Sequence, residues 1–407
     1  FPVRLNYEYC DRLIGKKLGH DTIKRIAESL EMKVENEDAE GLNLLVPPYR
    51  VDVQRPCDVV EDILRIYGYN NVEIPTELKS SLTIAEEADK NYHRENIIGE
   101  QLVGAGFSEI MNNSLTKSSY YEETGLNAYP WEETVKVMNP LSADLGVMRQ
   151  TLLFGGLESI VRNVNRKAQN LRFFEVGNVY KYNKEKWTEE NPVKAYSQDY
   201  HMALWVTGKR VQGSWAHPDE ESSFYELKAH VENILRRIGV AQGLLVSEKS
   251  DNNVFDKAIA LKTRAGKVLV EMGILSHKLL KRFGLDQKVY YADLDWAGLM
   301  KAIRKNKLQF QEISKYPAVS RDLALLVDNN VEFAQIEEIA RQADKKLLKR
   351  VELFDVYQGE NLPEGKKSYA VNFILQDETK TLNDKAIDAI MQKLIKNLTN
   401  KLGAELR

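Results

Sequence analysis

The sequence predicts an α+β protein of several domains, built largely on antiparallel sheets. At 407 residues the chain exceeds the size at which one hydrophobic core keeps growing, so about two to four domains are expected. Its strand-like runs do not alternate evenly with helical stretches, as a doubly wound parallel sheet would require. Its last block, 308–407, reads as strand, helix, two strands, helix, strand, the order of a ferredoxin-like split βαβ.

Composition narrows the class further. With 43% hydrophobic and 29% charged residues, this is the profile of a soluble globular chain. No apolar run reaches the roughly 18 residues that a membrane span needs. Phe1-Pro2-Val3-Arg4 offers neither an initiator Met nor a signal pattern, so the sequence reads as a piece of something longer. Cys10 and Cys57 are too few for a disulfide framework, which points to a reducing cytoplasm. There is no CxxC or HExxH, and the His residues are scattered, so zinc is not expected. A net charge of −3 weighs mildly against a nucleic-acid binder, and charge has to be read locally.

Three blocks follow one another. In 1–78 a helix is expected over 21–30 and a strand over 42–46. Pro47-Pro48 breaks the chain, and a second helix over 58–67 ends at Gly68, where a C-cap glycine belongs. In 79–300 a helix over 92–103 carries Ile97, Ile98, Leu102 and Val103 on its apolar side. Gly104 and Gly106 stop it, and 107–115 reads as a strand. Further strands are expected over 171–182, 201–207 and 268–274, and helices over 152–164 and 226–238. A polar linker, 301–307, leads to the last block. There the strands are 322–327, 352–357, 368–376 and 404–407, the helices 333–348 and 384–402, and Pro363-Glu364-Gly365 turns the central hairpin. Ending on that strand, Arg407 is expected near a natural terminus.

The sharpest local pattern is Pro48-Tyr49-Arg50-Val51-Asp52-Val53 followed by Cys57-Asp58-Val59-Val60-Glu61-Asp62. Asp58 and Glu61 are three apart and share a helix face, Asp62 is adjacent, and Asp52 can turn in beside them. Such a set suits a hard cation; Mg²⁺ typically takes one or two carboxylates and keeps waters elsewhere. Acids in a first helical turn are also ordinary caps, favoured by the helix dipole. Spacing alone leaves both readings open.

In the last block, alternation puts Leu323, Leu325, Val327, Phe354, Val356, Tyr369, Val371 and Phe373 on the helix-packed face. The other face then carries Ala324, Asp355, Tyr357, Ser368 and Ala370. One aromatic among small residues on an open sheet can stack a base, though it can equally be an ordinary surface tyrosine. Lys345, Lys346, Lys349, Arg350, Lys393, Lys396 and Lys401 could face phosphates or be solvated helix faces.

These runs resemble a known family in order. YRVDVxxxxDVVEDILRIYGYNNVEIP is similar to the small winged-helix-like domain of the bacterial-type phenylalanyl-tRNA synthetase β subunit. Asn139-Pro140-Leu141-Ser142, Met148-Arg149-Gln150-Thr151-Leu152, Leu171 to Gly177 and Tyr225-Glu226-Leu227-Lys228, with Trp215 upstream, resemble its class II synthetase-like core. Ser314 to Ala324, Leu353 to Gly359, Gly365 to Ser368 and Thr379 to Asp384 resemble its anticodon-binding domain. The resemblance implies a Mg²⁺ shared with the catalytic α subunit, with Asp52, Asp58, Glu61 and Asp62 as ligands. Asp62 stands where the family usually has Glu. It also implies an α2β2 assembly in which the α chain uses ATP to charge tRNA(Phe); with an anticodon-binding domain here, the open-face residues Ala324, Tyr357 and Ser368 and the cation Lys349 are the candidate tRNA contacts. The family's editing and N-terminal tRNA-contacting domains are expected to be missing from this stretch.

Class II chemistry needs an arginine on motif 2 for the α-phosphate and a Gly-rich, Arg-bearing motif 3, because fixed cations must meet the phosphate charge. Glu175 is followed by Val-Gly-Asn, and no Gly-x-Gly-x-x-Arg occurs. No P-loop or Ser/His/Asp set can be assembled either. The middle block therefore reads as a synthetase fold without its chemistry. A stand-alone RNA-binding or scaffold protein is the alternative, and a self-sufficient ligase is disfavoured by the missing arginines.

Overall fold

A computed structural model of the chain describes residues 1–77, 86–122, 125–241, 243–304, 306, 310, 312–360 and 362–407. It divides into two compact units, Phe1–Glu95 and Asn96–Arg407.

In the first unit a strand β1 (Pro2–Asn6) leads into helices α1 (Tyr7–Ile14) and α2 (His20–Ser29). A hairpin, β2 (Lys33–Glu37) and β3 (Gly41–Leu45), precedes helix α3 (Pro56–Tyr67). The antiparallel sheet has the order β1-β3-β2. Period-2 alternation turns Val3, Leu5, Leu42 and Leu44 toward Ile23 and Ile26 of α2 and Val59, Val60 and Ile63 of α3. The helix α3 has Pro56 in its first turn, where a missing N–H costs nothing, and ends at Gly68, whose φ of 97° needs a residue without Cβ. Strands β1 and β2 and helix α1 were not legible in the sequence. Both cysteines are free, Cys10 in the core and Cys57 half-buried.

Among the described residues, the larger unit holds two main sheets and two short two-stranded ones. Its seven-stranded sheet runs, edge to edge, Leu245–Lys249, Phe255–Thr263, Val268–Leu275, Val289–Asp295, Tyr196–Thr207, Leu171–Tyr182 and Ser108–Glu109. Every pairing is antiparallel except the last, which is parallel. The spine is an unbroken register from Leu171↔Thr207 to Tyr182↔Tyr196. Phe173 and Trp205 pack on one face against the Leu153–Val164 helix, through Leu153, Phe154, Leu157 and Ile160. Phe174, Met202, Leu204 and Val206 pack on the other, against the Phe224–Arg237 and Trp296–Ile303 helices. The expected strand over 107–115 is instead two short pieces, Ser108–Glu109 and Leu115–Thr116, in different sheets. Between them Asn112 is drawn off to bind Glu175, which ends the ladder. The expected linker 301–307 begins inside the Trp296–Ile303 helix; its residues 305 and 307 lie outside the described residues.

The last sheet has strands Val319–Asp328, Leu348–Tyr357, Lys366–Leu375 and Glu405–Leu406. The third and first lie at the centre, and the second and fourth form the edges. Helices Phe333–Ala343 and Asp384–Leu402 cover one face. The first stops short of the expected 348 because Asp344 accepts from the backbone of Lys346 and Leu347, turning the chain into the next strand. Phe354 and Val356 are not core residues as alternation implied: they are 61% and 44% exposed. A bulge between Leu353 and Asp355 inserts one residue, and the phase of the edge strand changes there. Among the described residues no helix is long and apolar enough to cross a membrane.

Gly156, on the Leu153–Val164 helix, tests the tightness of the large sheet. A Cβ there would sit 2.1 Å from the indole of Trp205. Gly156→Ala is expected to cost about 1–3 kcal/mol and to lower the thermal midpoint followed by circular dichroism; melting with the parent would mean the indole moves aside freely.

Candidate functional site

Three places gather the residues that the sequence singles out. In the acid cluster, Asp58 occupies the third position of α3. Its Oδ2 accepts from the backbone N–H of Gln54 (3.2 Å) and Arg55 (2.8 Å), while Arg55 Nη2 donates to its Oδ1 at 3.0 Å. The Arg55 side chain first, and then these amides, hold the Asp58 carboxyl far below its ordinary range. Asp62 is buried and accepts from Arg50 Nη2 at 2.6 Å; the same nitrogen donates to Asp52 at 3.1 Å. That contact lowers the Asp52 carboxyl as well. Glu61 is exposed one turn beyond Asp58. The residue types suit a hard cation, yet the set does not close on one point: among the described residues no three His, Cys, Asp or Glu could hold a metal. Arg50 provides the positive charge that Asp52 and Asp62 share. Sequence reasoning passed over it, although its place two residues before Asp52 was visible.

The second place is the face of the large sheet beside the Leu153–Val164 helix. Glu175 and Arg149 are 1% and 7% exposed and paired at 2.6 Å. Glu175 also accepts from the backbone and side-chain nitrogens of Asn112, at 3.1 and 2.6 Å. Arg149 donates to the carbonyls of Asn112 and Asn178. A Cβ at position 177 would meet Arg149 Nη2 at 2.3 Å, so Gly177 makes room for the guanidinium. Gln150 is equally enclosed, donating to Thr134 Oγ1 at 2.6 Å and to the Pro130 carbonyl at 3.0 Å. The polar Met148-Arg149-Gln150-Thr151 run is thus spent on internal bonds, and Phe154, Trp205 and Tyr291 fill the face around it. Nothing in this network offers a free cation to a phosphate.

The third place is the open face of the last sheet. Tyr357 pairs across to Ser368, which pairs with Leu326 of the next strand; Ala324 pairs with Ala370 one rung over. The structure therefore brings Ala324, Tyr357 and Ser368 together and adds Arg407. The Arg407 guanidinium lies 5.4 Å from the centre of the Tyr357 ring, and its backbone N–H donates to the Ala324 carbonyl at 3.0 Å. Ser368 shares this face but is 6% exposed, walled in by its neighbours. Lys349 is not part of the group. It sits eight residues from Tyr357 on the same strand, roughly 25 Å at strand rise, and its Nζ is tied to Glu378 at 2.7 Å. Arg350 is likewise paired, with Glu352 at 3.0 Å.

With this geometry in hand, the likeness to known proteins can be stated. Residues 3–69 match the profile of the tRNA synthetase B5 domain, 74–296 that of the phenylalanyl-tRNA synthetase beta chain CLM domain, and 314–407 that of the ferredoxin-fold anticodon binding domain. The class is that of the aminoacyl-tRNA synthetases. The chain belongs to the phenylalanyl-tRNA synthetase β-chain family, whose core profile spans more than half of it. It is 60% identical over all 407 residues to the phenylalanine–tRNA ligase beta subunit of Bacteroides thetaiotaomicron, covering 49% of that protein. The beta subunits of Porphyromonas gingivalis and Syntrophotalea carbinolica are 48% and 33% identical, again over the whole chain and 49% and 50% of theirs. The chain thus spans about half the length of the curated relatives it matches. A pyrrolysyl-tRNA synthetase from Desulfitobacterium hafniense overlaps 55% of this chain and 73% of its own at a TM-score of 0.39 and 15% identity, too slight a likeness to carry an argument.

The buried pair gives a measurable prediction. Arg149→Met or Glu175→Gln alone leaves an uncompensated buried group and should cost about 3–5 kcal/mol, whereas changing both should cost clearly less than the sum. Denaturant unfolding of the two single variants and the double decides it, and strict additivity would show that the two groups are not coupled.

Proposed function

We propose that this chain is the non-catalytic body of a phenylalanine–tRNA ligase β subunit. It supports ATP-dependent charging of tRNA(Phe) by a separate α subunit, in a cytoplasmic α2β2 assembly. The observation that carries this reading is the Arg149–Glu175–Asn112 network on the large sheet, inside a chain whose three profiles stand in the family's order. A class II sheet whose polar motif residues are all turned inward can serve as a subunit scaffold, but it has no fixed cation left for ATP. The strand, two-helix, hairpin order of the first unit supports a winged-helix-like domain, and the long antiparallel sheet supports a class II synthetase-like core. The last block, with its four strands and two helices on one face, supports the anticodon-binding role.

In the same reading the α subunit completes a Mg²⁺ site at Asp52, Asp58, Glu61 and Asp62. Arg50 and Arg55 hold three of these carboxylates in the chain by itself. Metal binding then requires those contacts to give way on assembly. Asp58→Ala and Glu61→Ala are expected to weaken the magnesium dependence of the α–β complex, read by titrating Mg²⁺ against complex formation in gel filtration. Unchanged dependence in both variants would leave the acids as a helix cap. A chain that purifies alone, with no stoichiometric α partner, would favour the scaffold alternative.

Tyr357→Ala is expected to remove about 1–3 kcal/mol of tRNA affinity from the assembled complex, the worth of one base–aromatic stack. A bulky residue in place of Ser368 should do comparable harm by closing the approach. Lys349→Ala should produce a smaller loss that fades at high salt, since a phosphate contact acts through counterion release, here after exchange with Glu378. Filter binding at two salt concentrations is the measurement. Parent-like affinity of Tyr357→Ala at both would remove the stacking role.

A further inference from the structure

The bulge in the edge strand Leu348–Tyr357 places a second aromatic where the sequence pattern hides it. After a first bulge at Lys349, the strand from Arg350 to Leu353 is in phase with the core: Val351 pairs with Phe373 and Leu353 with Val371, both buried partners. Asp355 then pairs with Ala370, so Phe354 is the inserted residue, opposite no one. Its side chain is 61% exposed, three residues before Tyr357 on the same strand. Exposing a phenyl ring forgoes roughly 1.5–3 kcal/mol of burial that a regular strand would give it. A bound partner would recover it.

The chemistry around it selects the kind of contact. Glu352 and Asp355 flank the bulge and are exposed, and Glu352 takes up the charge of Arg350, so this stretch of the edge carries no surplus positive charge for phosphate. Base rings carry no charge, and their amino groups can donate to carboxylates. An aromatic set among acids therefore suits the face and edge of an unstacked base better than a sugar–phosphate backbone. We propose that Phe354 is a second base-stacking residue of this domain, engaging a nucleotide of the anticodon loop next to the one on Tyr357. Two aromatics three residues apart on one strand are roughly 10 Å apart, a spacing that splayed neighbouring nucleotides of a loop can span. This assignment rests on the anticodon-binding reading of the block.

The test uses the full β subunit assembled with its α partner, and tRNA(Phe) carrying 2-aminopurine in the anticodon loop. Phe354→Ala is expected to weaken binding about tenfold at both low and high salt, because stacking is not a counterion effect. It should also relieve the quenching of the bound fluorophore. Phe354→Trp should restore both readouts, while Phe354→Leu, equally apolar but without a π face, should restore neither. Parent-like binding by Phe354→Ala overturns the proposal, as does full rescue by Leu. A loss confined to subunit assembly, seen in gel filtration with tRNA affinity intact, overturns it in favour of a protein contact. Tyr357→Ala run in parallel separates the two levels: if it weakens binding and Phe354→Ala does not, only this assignment fails, and if neither matters the anticodon reading itself fails. Because Phe354 is exposed, its variants should melt with the parent, which excludes unfolding as the cause.

Discussion

The buried carboxylate of Glu175 is the constraint around which the large unit is arranged. It sits mid-strand on the 12-residue Leu171–Tyr182 spine and takes its bonds from Asn112, on the segment entering the sheet, and from Arg149, on the segment leading to the neighbouring helix. A charge in that place has lost its water, so each oxygen must be matched by donors fixed in position. Matching them pins three chain segments to one another. The same arrangement decides what the sheet can do. The Arg149 guanidinium on this face is committed to a carboxylate of its own chain and enclosed by aromatic packing.

The acid cluster of the first unit shows the opposite regime. Apart from the buried Asp62, its charges lie nearer water, where an ion pair contributes little and can be exchanged at small cost. Asp58 is held by two backbone amides as well as Arg55, so it is committed to capping α3. Asp52 is held by Arg50, one long flexible side chain, and Asp62 by Arg50 at 2.6 Å with Arg65 further off at 3.7 Å. Of the two holds, the Arg50 contact is the one that a competing cation can replace without unwinding a helix. An acid set can thus be a stable local structure and still be available to a partner or a metal.

Much of the fold was legible because burial imposes periodicity. The strand over 171–182 and the helix over 384–402 agree with the structure residue for residue, since their apolar residues recur at the spacing of the element. The β1 strand and α1 helix were missed: they are short, and their apolar residues find their partners in other elements, α2, β3 and α3. The candidate site divides in the same way. Ala324, Tyr357 and Ser368 could be brought together because strand register follows from alternation. Lys349 could not be excluded, because which carboxylate neutralises a lysine is settled by residues far along the chain, here Glu378. The ion pair of Arg149 with Glu175, on the Leu171–Tyr182 strand, was hidden for the same reason.

Phe354 marks the limit of pattern reading most clearly. Alternation assigned it to the core, and the residues on either side of the bulge do obey alternation. One inserted residue is invisible to a period-2 rule because it leaves both flanking stretches in order and shifts only their relative phase. On a central strand such an insertion would break ladder bonds on both sides; on an edge strand it breaks them on one, so edges are where it persists. The edge is also where a sheet meets its ligands. The feature that defeats the sequence pattern and the feature that exposes an aromatic to solvent are therefore one and the same, and a strand that breaks its own period at a sheet edge is a place to look for recognition.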